Sequence, residues 1–192
     1  MPVKVLIVDD SAIVRRILTQ ELAKDPDIEI VGSAPDPLVA ADKIEQLHPQ
    51  VLTLDVEMPR MDGITFLKGL MRHNPLPVII VSSLTQKGSR LAIDALDYGA
   101  VEVIAKPGAS YSVGDMTGEL TEKIKAAATA RIRPADHTPR PARRPVASAA
   151  LAETTNKVVA FGASTGGTQA LQRILESLPP NFPGCVVVQH MP

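Results

Sequence analysis

The feature that most constrains the fold is a regular alternation of short apolar runs with segments of helical spacing. The runs are rich in β-branched residues and lie at residues 3–8, 28–31, 51–54, 77–81 and 101–104. Between them apolar residues recur every three or four positions, as in Val14, Leu18 and Leu22, which is typical of amphipathic helices. Nearly continuous apolar strands joined by helices predict an open, doubly wound α/β domain with a five-stranded parallel sheet buried on both faces.

This pattern ends with a helix predicted near residues 117–127, and we assign residues 1–127 to the first domain. Residues 128–155 contain many alanines, together with four prolines (134, 139, 141, 145) and five arginines (131, 133, 140, 143, 144). Such a composition predicts a flexible, semi-extended linker, and a basic docking strip is the alternative interpretation.

A second unit is predicted at residues 156–192. It reads as a strand at residues 157–161, a glycine-rich loop, a helix and a second strand at residues 185–188. A strand–helix–strand of about 37 residues is shorter than the roughly 40 that usually fold unaided. We therefore expect these residues to be the amino-terminal portion of a second α/β domain that is truncated here.

Composition excludes several functional classes. The net charge of −1 gives no electrostatic reason to expect nucleic acid as a partner, and no apolar run reaches the roughly 18 residues that membrane insertion needs. The single cysteine, Cys185, excludes an internal disulfide and a multi-cysteine metal site, and its valine neighbours predict burial. We expect a cytoplasmic protein.

Polar residues follow the predicted strands at one edge of the sheet. Asp9 and Asp10 follow the first strand, Asp55 the third, Ser82 the fourth and Lys106 the fifth. Singly, an Asp or Ser at such a position is more often a helix N-cap. Together they converge on one crevice, where three carboxylates would repel one another unless a cation and a lysine compensated. Oxygen ligands of this kind predict a Mg²⁺ site.

Asp55 is the central carboxylate of this crevice and a candidate nucleophile. Aspartate is a known covalent acceptor of phosphoryl groups, provided that the developing charge is neutralised. Lys106 would supply an ammonium group for this purpose, and Ser82 would supply a hydroxyl.

Several motifs, in order, resemble those of two-component receiver domains. They are Leu-Ile-Val-Asp-Asp-Ser at residues 6–11, Asp-Val-Glu-Met-Pro-Arg-Met-Asp-Gly at residues 55–63, Ser82, and Lys-Pro at residues 106–107. The resemblance covers about residues 1–125 and implies a flavodoxin-like fold that is phosphorylated on Asp55 by a histidine kinase. It also implies that Asp10, Asp55 and the Glu57 carbonyl bind Mg²⁺, that Asp9 assists through water, and that Ser82 and Lys106 contact the phosphoryl group.

Val103 departs from the receiver pattern. Many receivers have an aromatic residue three positions before the lysine, where its rotamer reports phosphorylation. With valine there, we expect switching to act through Ser82 and backbone shifts.

The loop of the second unit, Gly-Ala-Ser-Thr-Gly-Gly at residues 162–167, joins a predicted strand to a predicted helix. Its small residues allow a tight turn that can cradle a phosphate, present Ser164 as a nucleophile, or use Ser164 only as an N-cap. His190 follows the second strand, and parallel strands would bring its imidazole to the same sheet edge as a candidate general base. No acidic residue in 157–192 is placed to orient it.

The receiver motifs, the linker, the serine loop and Val-Val-Gln-His-Met-Pro at residues 187–192 together resemble the chemotaxis response-regulator protein-glutamate methylesterases. This resemblance implies Ser164 as nucleophile, His190 as base and Thr165 as a contributor to the oxyanion site. The acidic triad member would lie beyond Pro192, so this chain should lack esterase activity. The implied substrates are glutamate methyl esters of methyl-accepting chemoreceptors, with receptor glutamine deamidation as a related activity.

Regulation also follows from this resemblance, since phosphorylation of Asp55 would relieve inhibition of the esterase. The alternative is a receiver joined to a non-catalytic binding module whose serine loop binds phosphate. A helix-turn-helix after the linker would support that alternative, but the sequence there predicts strand, loop, helix and strand.

Overall fold

The computed structural model describes residues 1–83, 91, 94–106, 113–130, 132, 158–164, 167–179 and 182–189. The chain divides into two compact units, Met1–Ala135 and Asp136–Met191. The domain boundaries inferred from sequence, at residues 127 and 156, stay a prediction.

The first unit is built on a five-stranded parallel sheet, which confirms the predicted fold class. Its strands are β1 (Val3–Val8), β2 (Ile28–Ala34), β3 (Val51–Asp55), β4 (Val78–Ser82) and β5 (Glu102–Ala105), in the order β2-β1-β3-β4-β5. The described helices are α1 (Ala12–Leu22), α2 (Pro37–Leu47), α3 (Gly63–His73) and α4 (Val113–Ala128). All carboxyl ends of the strands therefore lie at one edge of the sheet.

Both faces of the sheet are covered, because alternate side chains of each strand enter different cores. Leu6 and Val8 of β1 belong to the core that also contains residues of α2 and α3. Val5 and Ile7 belong to the other core, with residues of α1 and α4. This explains why the strands read as nearly continuous apolar runs.

Three helices begin with capping side chains at the carboxyl edge of the sheet. Ser11, Asp36 and Asp62 each accept a hydrogen bond from a backbone N–H in the first turn of α1, α2 and α3, respectively. These residues satisfy donors that the helix leaves unpaired. Asp9 and Asp55 are therefore not needed as caps.

Ion pairs fasten α4 to the rest of the unit. Lys123 Nζ lies 3.0 Å from Glu102 Oε2 on β5, and both side chains are buried. Lys125 Nζ lies 2.8 Å from Asp25 Oδ2 in the turn before β2. Beyond the helix, Ile132 is half-buried against the core on the α2 and α3 side.

The second unit contains the predicted strand–helix–strand. Strands β6 (Val159–Ala163) and β7 (Cys185–Gln189) pair in parallel, and α5 (Gly167–Leu175) lies between them in sequence. Leu171 is buried, whereas Val186, Val187 and Val188 are exposed. Cys185 is exposed too, so the predicted burial is wrong. The valine run marks β7 as an interior strand, but no described segment covers it.

Among the helices of the described residues, none combines the length and the apolar character needed to cross a membrane.

Candidate functional site

The predicted site residues of the first unit gather at the carboxyl edge of the sheet. Asp55 and Ser82 are the last residues of β3 and β4, while Asp9 and Lys106 directly follow β1 and β5. Asp9, Asp55 and Ser82 are 1%, 2% and 3% exposed, respectively. These three side chains therefore form the buried part of a crevice at this edge of the sheet.

Three carboxylates meet in this crevice. Asp9, Asp10 and Asp55 each offer an oxygen, and these oxygens all lie within 4.8 Å of one another. Asp9 and Asp55 are buried, whereas Asp10 is exposed. A set of carboxylate oxygens open to solvent on one side suits a hard divalent cation that retains waters, as Mg²⁺ does. The residues present therefore fit the predicted metal.

Lys106 balances part of the negative charge. Its Nζ donates a hydrogen bond to Asp55 Oδ2 at 2.7 Å and forms an ion pair with Asp9 Oδ2 at 2.8 Å. Burial raises the pKa of Asp9, and Lys106 opposes this rise. Burial would lower the pKa of Lys106, but its bonds to Asp55 and Asp9 outweigh burial and raise it. The ammonium group thus stays charged at neutral pH.

Backbone groups orient the two buried carboxylates. The N–H of Ser11 donates to Asp9 Oδ1 at 2.8 Å, and the N–H of Glu57 donates to Asp55 Oδ1 at 3.1 Å. The N–H of Lys106 donates to the Ser82 carbonyl at 2.7 Å. Each carboxylate therefore has one oxygen held by the backbone and the other beside Lys106.

Arg15 supports the acidic turn, and the sequence interpretation did not include it. Its Nη1 donates to the carbonyl oxygens of Asp9 and Asp10, at 2.7 and 3.0 Å. The sequence does contain a signal for this role: a basic residue about one turn into the helix that follows an acidic pair.

Two further contacts lie on the loop after Asp55. Ser83 Oγ donates to Glu57 Oε2, which links that loop to the end of β4. Gly63, the first residue of α3, donates its N–H to the Val56 carbonyl at 3.1 Å. A Cβ on Gly63 would lie 2.8 Å from Val56 Cα and closer still to the Asp55 carbonyl oxygen. Helix α3 therefore packs directly on the backbone of Asp55.

In the second unit, Ser164 follows β6 and is exposed. Its carbonyl oxygen accepts hydrogen bonds from the Gly167 N–H at 2.7 Å and from Gln189 Nε2 at 3.1 Å. Ser164 is thus exposed, and its carbonyl is bonded both to the start of α5 and to the end of β7. Thr165 and His190 lie outside the described residues, and their predicted roles stay predictions.

Comparison with protein families decides the identity of the first unit. Residues 5–115 match the model of the response regulator receiver domain. The chain belongs to this family. Residues 159–192 match the CheB methylesterase model, so this receiver is followed by the start of a methylesterase domain.

Known relatives match almost the whole of this chain. The chain is 64% identical over 192 residues to protein-glutamate methylesterase/protein-glutamine glutaminase 2 of Syntrophus aciditrophicus, covering 99% of this chain and 56% of that protein. It is 59% identical to such a protein, numbered 4, of Anaeromyxobacter dehalogenans, covering 99% of this chain and 53% of that protein. The chain spans about half the length of these curated relatives.

The receiver also resembles a solved structure, the response regulator domain of Thermotoga maritima CheB. The two are 43% identical with a TM-score of 0.62, over 68% of this chain and 99% of that chain. The resemblance inferred from the sequence motifs, to a receiver domain followed by the start of a methylesterase domain, is confirmed. The roles assigned to the individual site residues stay predictions.

Proposed function

We propose that this chain is the regulatory part, with the start of the catalytic domain, of a protein-glutamate methylesterase and protein-glutamine glutaminase of bacterial chemotaxis. The proposal depends on one observation: the same chain carries a carboxylate crevice bridged by Lys106 and a methylesterase-like unit with an exposed serine turn. Signal input and chemical output would thus be linked in one cytoplasmic protein.

The input step is phosphorylation of Asp55 by a histidine kinase. A carboxylate oxygen of Asp55 attacks phosphorus, the new O–P bond forms, and the P–N bond to the donor histidine breaks. Lys106 is already 2.7 Å from Asp55 Oδ2 and balances the charge of the transferred group. Ser82, at the end of the neighbouring strand, offers its hydroxyl to a phosphoryl oxygen.

Asp10, Asp55 and the Glu57 carbonyl would hold Mg²⁺, with Asp9 acting through water. When bound, the metal supplies further neutralisation of charge on the phosphoryl oxygens. Arg15 and the Ser11 N–H keep the acidic turn in place for this purpose. With Val103 instead of an aromatic residue, the response to phosphorylation is carried by Ser82 and the backbone.

The output step is ester hydrolysis. Ser164 is the nucleophile, His190 the general base and Thr165 a contributor to the oxyanion site, while the acidic triad member lies beyond residue 192. The substrates are glutamate methyl esters of chemoreceptors, which yield methanol, and receptor glutamines, which yield ammonia. Phosphorylation of Asp55 relieves inhibition of this activity, and the 192-residue chain alone should show little of it.

Phosphorylation can be tested directly on this chain. With acetyl phosphate and Mg²⁺, the parent should incorporate phosphate, and Asp55→Asn should not. Asp42→Asn, an exposed change on α2, serves as the control and should behave as the parent. Normal labelling of Asp55→Asn would refute the assignment of the acceptor.

The output should be tested in the full-length protein, by methanol release from methylated receptors. Ser164→Ala and His190→Ala should each lower kcat by about 10⁴-fold or more while sparing phosphorylation. Asp55→Asn should leave basal hydrolysis and remove stimulation. Full activity of Ser164→Ala would instead favour a serine turn that binds phosphate without catalysis.

A further inference from the structure

We propose that Gln189 is a positioning residue for the candidate nucleophile Ser164, an inference that rests on the proposed esterase function. Gln189 is the last residue of β7 and pairs in register with Ala163, the last residue of β6. It therefore stands beside the serine turn at the carboxyl edge of the second sheet.

Three elements meet on one atom of this turn. The carbonyl oxygen of Ser164, which follows β6, accepts from the N–H of Gly167 on α5 and from the side-chain amide of Gln189 on β7. The first bond is local and closes the turn. The second crosses from the neighbouring strand and fixes where the turn lies relative to β7.

Gly167 leaves the room that this arrangement needs. It is buried, and a Cβ at this position would lie 2.5 Å from Gln189 Oε1 and 2.5 Å from Ala163 Cβ. Contacts that short do not occur between real side chains, so any larger residue would displace the amide or the helix. The position of the Gln189 amide therefore depends on the absence of a side chain at Gly167.

The functional consequence follows from the position of Gln189 in the chain. The next residue is His190, the candidate base. The side chain of Gln189 thus ties the backbone of the nucleophile to the strand that leads into the base. A displacement of about 1 Å between reacting groups can cost on the order of 10²-fold in rate, so loss of this bond should slow catalysis without removing a reacting group.

The test compares Gln189→Met with Gln172→Met in the full-length protein. Methionine keeps the side-chain length but cannot donate to Ser164. Gln172 is the matched control, because its amide is exposed on α5 and donates only locally, to Glu176 Oε1 at 2.8 Å. We expect kcat for methanol release to fall about 10- to 100-fold in Gln189→Met, with KM within about twofold of the parent. Gln172→Met should match the parent.

A second readout monitors the serine itself. Phenylmethylsulfonyl fluoride forms a bond from Ser164 Oγ to sulfur and releases fluoride and a proton, so its inactivation rate reports how well the nucleophile is placed. This rate should fall in parallel with kcat, whereas the melting temperature should change little. A purely structural role would lower the melting temperature and leave the folded fraction fully reactive.

The outcomes separate this inference from the proposed function. If Ser164→Ala is inactive but Gln189→Met keeps the kcat and reactivity of the parent, the positioning role is wrong and the esterase stands. If Ser164→Ala remains active, the esterase assignment itself fails. Should Gln189→Met not fold, Gln189→Asn retains the amide but is one methylene too short, and the same measurements apply. Failure of both variants to fold would show a structural role and overturn the proposal.

Discussion

At the scale of single residues, Gly63 determines how closely α3 approaches Asp55, the proposed phosphoacceptor. The space where its Cβ would lie is occupied by the backbone of Asp55 and Val56, which cannot move aside as a flexible side chain can. Gly69, on the same helix, has nothing within 4 Å of a Cβ position. The two glycines therefore separate the effect of close packing from that of helix propensity.

We expect Gly63→Ala to lower the free energy of unfolding by about 1–3 kcal/mol, as overpacking of a tight contact does. Because the clash pushes on the Asp55 backbone, the rate of phosphorylation by acetyl phosphate should fall as well. Gly69→Ala should be neutral or stabilising by up to about 1 kcal/mol, since alanine is the better helix former. Urea unfolding and phosphate incorporation measure the two effects.

Equal stability and equal phosphorylation in the two alanine variants would show that α3 can move away from Asp55 without cost. A loss of stability alone, with the phosphorylation rate unchanged, would show that Gly63 matters only for packing.

At the scale of elements, the start of α2 is connected to the loop after Asp55. Asp36 Oδ1 accepts from the N–H groups of Leu38 and Val39, both at 3.0 Å, and Oδ2 lies 2.9 Å from Arg60 Nη2. Arg60 has a φ of 70°, so this contact is made from a left-handed backbone conformation. The pKa of Asp36 is lowered, chiefly by the hydrogen bond from the Val39 N–H. Arg60 and the Leu38 N–H lower it further, and together these groups outweigh the opposing effect of burial.

A lowered folded-state pKa means that the charged form of Asp36 stabilises the fold. This contribution is present above about pH 3.8 and is lost as the pH falls through the lower folded-state value. Asp36→Asn keeps an N-cap but does not titrate. Its stability should therefore decline less steeply than that of the parent as the pH falls below about 5.

Urea unfolding at several pH values checks this, with the exposed Asp42→Asn on α2 as control. If the free energy of unfolding depends on pH equally in Asp36→Asn and in the parent, the capping bonds and the Arg60 contact favour the charged Asp36 carboxylate no more than water does.

Elements and the convergence of their ends could be predicted from sequence, whereas contacts between side chains could not. Asp9, Asp55 and Lys106 were placed together because parallel strands end at one edge, whatever their side chains do. The reach of Arg15 to two carbonyls depends on its rotamer and on the exact orientation of α1, which no sequence pattern encodes. The hydrogen bonds of the Gln189 side chain to Ser164 and of Ser83 to the Glu57 side chain likewise depend on rotamers, and no sequence pattern predicts them.

Helix α4 illustrates a boundary that propensity places wrongly. The sequence predicts a helix near residues 117–127, yet it begins earlier, at Val113, and includes Gly114. Glycine is a poor helix former. Met116 is 1% exposed in the core beneath the helix, and such burial outweighs the local preference.

At the scale of the whole molecule, the first unit holds the chain beyond the end of α4. Ile132 is half-buried against its core, between Arg131 and Arg133. The composition of residues 128–155 predicts a flexible linker, and after Ile132 the next described residue is Val158. Trypsin needs an extended, accessible backbone, so these arginines should differ as cleavage sites.

We expect limited trypsin digestion to cut first after Arg143, and only later after Arg131, because Arg133, Arg140 and Arg144 are each followed by a proline, which blocks trypsin. A stable fragment should then end between residues 131 and 144. Ile132→Ser should accelerate the cut after Arg131. Mass spectrometry identifies the sites, and early cuts within residues 1–120 would contradict the predicted domain boundary.

The position of Lys106 has a consequence for how this protein is assembled in the cell. Lys106 already neutralises part of the charge of the buried carboxylates Asp9 and Asp55. The receiver should therefore fold without a metal ion. Zinc fingers differ, because they are unfolded without their metal. A chelator should therefore leave the melting temperature of the receiver nearly unchanged. Added Mg²⁺ should raise it gradually with concentration, as a ligand that binds only the finished fold does. Melting on chelation would show that Lys106 is an insufficient substitute. If the metal-free receiver is stable, newly synthesised molecules would be folded before they bind Mg²⁺, and they could be phosphorylated as soon as the ion and a phosphodonor are present.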